Sequence, residues 1–124
     1  MKESLDQLRS RFAWTCVQHQ SPEYRNLAKS APALIMTSGL MPLLAYLNGK
    51  GKGHHVNLTK HLCSWLCERF PKRISGDGFD IVMSALMGQA TGDAAIHARF
   101  YQEATEETMN LLRWIRQFAA VANG

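Results

Sequence analysis

DAAIHARFYQEATEETMNLLRWIRQFAAV, residues 93–121, sets Ile96, Phe100, Ala104, Leu111, Ile115 and Phe118 three, four or seven residues apart. That spacing stacks apolar side chains on one face of a helix and leaves Arg99, Glu103 and Glu107 on its wet side. The stretch predicts one long amphipathic helix, whose stripe needs apolar partners. Upstream there is no alternating run of β-branched residues, no internal repeat and no low-complexity tract. The fold class that follows is all-α: a compact single-domain bundle of five to six helices over residues 1–124, with a long C-terminal helix.

Working back from this helix, Leu5, Leu8, Phe12 and Cys16 recur at helical spacing and predict a first helix running to about His19. Ser21-Pro22 restarts the chain, with serine as N-cap and proline at the first helical position, where a missing N–H costs nothing. The second helix starts there and is expected to bend near Pro32. Gly39 suits a left-handed helix end, and Leu40 to Leu47 form a short helix that Asn48-Gly49 stops. Gly49 to His55, GKGKGHH, reads as a mobile loop because alternating glycines leave the backbone too free. Asn57 is the expected cap of a helix that turns Leu58, Leu62, Trp65 and Leu66 inward and ends before Pro71. Asp77 is the expected cap of a further helix carrying Phe79, Val82, Met83 and Leu86.

A length of 124 residues with 46% hydrophobic content supports one core without a disulfide scaffold. The three cysteines, Cys16, Cys63 and Cys67, are an odd number, and the opening MKESLDQLRSRF lacks the apolar run of a signal peptide. A reducing cytoplasm is therefore expected. Ser30 to Gly49 is uncharged over a length near the roughly 20 residues of a bilayer span. Pro32, Thr37, Ser38, Gly39 and Pro42 interrupt it and would strand backbone polar groups in hydrocarbon. Two short buried helices are expected instead, with no membrane partner.

Charge divides the chain. From Tyr24 to Ser75 stand eight basic residues, Arg25, Lys29, Lys50, Lys52, Lys60, Arg69, Lys72 and Arg73, against the single acid Glu68. Eleven Lys and Arg against four acids give residues 1–75 a charge of +7, and three against six give residues 76–124 a charge of −3. A concentrated basic field of this kind attracts polyanions, which the modest overall +4 would conceal. Arg25 and Lys29, one helical turn apart with Tyr24 and Asn26 beside them, project together and suit neighbouring phosphates. Lys50 and Lys52 in the glycine loop suit nonspecific attraction to a phosphate backbone, since neither flank nor spacing makes a P-loop.

Catalytic and metal chemistry find little purchase. His55, His61, Cys63 and Cys67 fall within 13 residues, but their spacing matches no zinc module, and buried core is the default reading of both cysteines. Asp93, His97 and Tyr101 step by four along one helix face, as helical surfaces often do without catalysis. Glu106-Glu107 is most economically a solvated face. No enzyme activity, no cofactor, no metal and no small-molecule substrate are expected.

Tyr24 to Leu47, YRNLAKSAPALIMTSGLMPLLAYL, together with Ala104 to Ala119, ATEETMNLLRWIRQFA, resembles the small subunit of type III-B CRISPR effector complexes, the fifth Cmr protein. The two blocks cover about a third of the chain, and the resemblance implies a compact all-α fold. It also implies a non-catalytic subunit: copies stack into a minor filament beside the backbone filament that carries the guide RNA, and they contact the target strand. Implied partners are the backbone-filament subunit, the large subunit, further copies of this chain, and target RNA paired with guide RNA. Arg25 and Lys29 match the basic pair of the first block, Arg113 and Arg116 the basic positions around Trp114, while Leu27, Leu34, Ile35, Leu112 and Trp114 would be core. The chain departs from the pattern at Ser38 and Gln102, and Gln102 is not counted as an RNA contact.

The expected RNA contacts are therefore Arg25, Lys29, Lys50, Lys52, Arg113 and Arg116. Protein contacts are expected at Met36, Leu40 and Met41, at Arg69, Lys72 and Arg73, and at Glu103, Glu106 and Glu107, whose conversion to lysine should weaken assembly without unfolding the domain. The alternative from another class is a stand-alone nucleic-acid-binding regulator that reads a duplex with the helix from Leu58 to Phe70.

Overall fold

The computed structural model describes residues 3–88 and 92–122. Six helices follow one another: α1 Leu5–Val17, α2 Pro22–Ser38, α3 Leu40–Lys50, α4 Gly53–Arg69, α5 Phe79–Leu86 and α6 Ala94–Ala119. Among the described residues there is no strand, so the architecture is the all-α bundle with a long last helix. At 1.5 Å per residue the 26 residues of α6 span about 39 Å. α1 and α2 pack along it, while α4 sits centrally against α2, α3, α5 and α6. Every helix contributes side chains to one hydrophobic core, from Ala13 and Val17 through Leu44, Leu58 and Val82 to Leu111 and Ile115.

Three of the six described helices start at a side-chain cap. Ser4 opens α1 with a reciprocal capping box: its hydroxyl accepts from the Gln7 amide at 3.1 Å, and the Gln7 side chain accepts from the Ser4 amide at 2.7 Å. Ser21 caps α2 by accepting from the Tyr24 amide, with Pro22 in the first turn. Asp93 caps α6, accepting from the amides of Ala95 and Ile96. α1 stops at Val17, two residues short of the expected end, where His19 turns to a positive φ of 60°. α2 continues as one helix through Pro32 to Ser38 and buries Tyr24, Leu27, Ala28, Ala31 and Ile35.

The expected mobile loop is largely helix. α3 runs past Asn48-Gly49 to Lys50, Gly51 ends it at φ 67°, and α4 already begins at Gly53, leaving only Gly51 and Lys52 between them. Burial of Leu44 and Leu47 on α3 and of His55, Leu58 and Thr59 on α4 overrides the low helix propensity of the glycines. Asn57 consequently lies inside α4, and its amide donates to Gln20 Oε1 at 3.2 Å instead of capping. Gly78 occupies the N-cap of α5 without any side-chain bond, so Asp77 is not a cap either. Among the residues expected in the core, Leu27, Ile35 and Leu112 are buried, Leu34 is exposed, and Trp114 is half-buried. Leu8, Ile96 and Trp14 also reach the surface.

Candidate nucleic-acid interface

The interior fixes which charges remain available outside. Glu107 is 5% exposed, far from the wet face its neighbours suggested. Arg9 of α1 donates to it twice, Nε to Oε1 at 2.7 Å and Nη2 to Oε2 at 2.8 Å. The Trp65 indole of α4 donates to Oε1 at 3.0 Å, and Arg69 Nε lies 3.6 Å from the same oxygen. Burial works to raise the Glu107 pKa, but the hydrogen bonds from Arg9 and Trp65 outweigh it and hold the carboxyl below its ordinary value. Arg9 also donates to Asp6 at 2.9 Å, and the Trp114 indole reaches that same carboxylate at 3.5 Å. One buried carboxylate thus ties α1, α4 and α6 together.

These facts correct three of the expected protein contacts. Glu107 is an internal brace rather than part of an acidic surface, and Leu40 is fully buried, so neither is available to a partner. Arg69 is half-buried and turned to Glu107 and the Phe70 ring. Met36 is 79% exposed, Met41 is half-buried with its amide donating to Tyr101, and Lys72, Arg73, Glu103 and Glu106 stay on the surface.

The cations expected to meet RNA fall into two places. Arg25, Asn26 and Lys29 of α2, with Pro22, line a notch of about 300 Å³ whose far wall is Ala119 and Ala120 at the end of α6. Arg116 lies one turn before Ala120, whose amide donates to the Arg116 carbonyl, so it shares that side of α6. Arg113 bears instead on Asp6 of α1. Neither Arg25, Lys29, Arg113 nor Arg116 forms an ion pair with any described residue, whereas Arg9, Arg11 and Arg69 do. Lys50 and Lys52 stand apart at the α3–α4 turn, with Lys50 Nζ 5.3 Å above the Tyr46 ring.

The other sequence-level candidates are used internally. Tyr24 is wholly buried, its hydroxyl 2.7 Å from His61 Nδ1. Burial, followed by the charge of Lys60, brings the His61 pKa down to about 4. Burial pushes the Cys63 thiol up to about 12, and Cys67 Sγ points at the Ile74 carbonyl at 3.7 Å. Among the described residues no three His, Cys, Asp or Glu are grouped to hold a metal. Along the Asp93, His97, Tyr101 ladder, Asp93 caps α6, His97 packs beneath Gly88, and Tyr101 accepts from the Met41 amide. A groove of about 940 Å³ between α1, α4 and the start of α5 is lined by Phe12, Cys16, Lys60, His61, Trp65 and Phe79 among others. None of the six cations expected to meet RNA lines it.

Residues 5–122 match the family model described as CRISPR-associated protein (Cas_Cmr5). The chain belongs to the Cas_Cmr5 family. Nearly the whole bundle is matched, from Leu5 at the start of α1 to Ala122 beyond α6, and membership makes the chain a subunit of a CRISPR Cmr complex. No curated protein gives a significant match. Buried Tyr24 and Glu107 and half-buried His61 have partners inside the fold, whereas the cations of α2 have no ion-pair partner among the described residues. No described helix is long and apolar enough to cross a membrane.

Proposed function

We propose that this chain is a non-catalytic filament subunit of the type III-B effector, stacking with copies of itself beside the guide-carrying backbone and gripping target RNA through its phosphates. The observation that supports this most is the pair Arg25 and Lys29, one turn apart on a helix, unpaired by any described acid, at the rim of a notch of about 300 Å³. Contacts of this kind are indifferent to sequence, and base pairing with the guide supplies the specificity. Weak grip per copy is enough when several copies hold one strand.

The alternative of a stand-alone duplex reader needs an exposed recognition helix. α4, which carries Leu58 to Arg69 and ends at its C-cap Phe70, packs against four other helices and buries Leu58, Leu62, Trp65 and Leu66, which disfavours that reading.

The test is binding of single-stranded RNA by the isolated protein over a range of salt. Replacing Arg25 and Lys29 together by alanine should weaken binding and reduce the slope of log K against log salt by about 1.4, two phosphates' worth. A slope that does not change removes these residues from the RNA interface.

A further inference from the structure

The α3–α4 turn gathers positive charge around a helix start that nothing caps. Lys52 holds the N-cap of α4, and an ammonium group accepts no hydrogen bond. The first intrahelical bond runs from the Val56 amide to the Lys52 carbonyl at 2.8 Å, so the amides of Gly53, His54 and His55 have no acceptor among the described residues. The imidazole of His55 is turned into the same corner, its centroid 4.3 Å from the His54 ring and 5.9 Å from the Tyr46 ring. It is 8% exposed, and its Nδ1 is buried without a hydrogen-bond partner. Lys50, Lys52 and His54 all bear on it with positive charge. From Tyr24 to Ser75 the sequence has no acid but Glu68, which lies nearly four turns along α4 from this corner.

We infer that this turn is a built phosphate site, in which the three free amides of α4, the ammonium groups of Lys50 and Lys52 and the His55 imidazole together hold one backbone phosphate of an RNA strand. The carbonyl end of α3 finishes at the same turn, so the opposing half-charges of the two helix ends partly cancel. Selection for an anion therefore rests on the amide donors and side-chain cations rather than on a helix dipole. Burial, with its cationic neighbours, holds the His55 pKa below its ordinary value. A bound phosphate offsets that field, so the His55 pKa rises as the anion arrives. The naming of RNA as the phosphate's source rests on the function proposed above; the anion site itself does not.

The experiment uses the whole chain and two probes, inorganic phosphate and a short oligouridine, followed by amide and imidazole NMR. Both probes should move the amide resonances of Gly53 to Val56 and raise the His55 pKa. Lys52→Asp supplies the missing N-cap carboxylate, so it should keep or raise the melting temperature while lowering oligouridine affinity about tenfold, the equivalent of one charge-assisted hydrogen bond. Lys72→Asp, the same charge change elsewhere on the surface, should cost far less. Unmoved Gly53 to His55 amides in phosphate, or equal losses from Lys52→Asp and Lys72→Asp, overturn the site. RNA binding that persists through Arg25 and Lys29 would then leave the wider reading standing. Phosphate shifts without oligouridine binding keep the site and remove RNA as its source.

Discussion

Glu107 sits seven residues before Trp114 and three after Ala104, and that arithmetic carries its role. It fills the missing step of the apolar stripe between Ala104 and Leu111, so it faces inward, where Arg9 meets it from 98 residues away. A charge on a stripe position was the available signal, but its partner on α1 was beyond any local pattern. Removing one member of a buried pair leaves the other uncompensated, so Glu107→Gln should cost about 3–5 kcal/mol in urea unfolding, and Glu107→Lys more. His61 makes a pH-dependent contribution. Its folded pKa of about 4 lies below the ordinary 6.5, so between those values the unfolded chain binds the extra proton. Stability should fall as pH drops from 6.5 towards 4, and His61→Gln should flatten that limb of the urea midpoint against pH. The depressed pKa of Glu107 continues the loss below its ordinary 4.5.

Among the elements, α5 ends in a geometry only glycine holds easily. Gly88 has φ 82°, and a Cβ there would lie 2.9 Å from the His97 ring on α6. Gly88→Ala should destabilise by about 2 kcal/mol, the cost of a strained φ plus displacement of a packed ring. Adding His97→Ala should recover the steric part and leave the backbone part, read from the two urea midpoints. The α3–α4 junction shows where glycine misled: the three glycines Gly49, Gly51 and Gly53 suggest a loop, yet apolar burial on both sides extends the helices to within two residues of each other. The cap at Ser21 was legible because donor and acceptor lie within three residues, and Pro22 marked the start beside it. Gly78 and Lys52 cap without side-chain bonds, which leaves no residue type to recognise.

For the whole molecule, the uneven charge of the chain survives folding as separate surface features. Arg25, Lys29 and Arg116 gather at the α2–α6 end, Lys50 and Lys52 at the α3–α4 turn, and Glu103 and Glu106 remain exposed along α6. With Glu107 withdrawn to the interior, the acidic surface available for stacking or docking is smaller than the sequence suggested. Glu103→Lys with Glu106→Lys should weaken assembly of a reconstituted complex while leaving the melting temperature of the free subunit unchanged. Assembly that proceeds normally would remove these acids from the interface.

The sequence by itself determined the helical class, the long last helix, the start of α2 and the family, because periodicity and local capping act over a few residues. Only the tertiary structure decided which charges are spent inside and which remain for a partner. Arg9 and Glu107, or Tyr24 and His61, look like surface or stacking residues until distant helices bring them together. Pairing across 98 or 37 residues is set by how whole helices pack, and no local spacing encodes it.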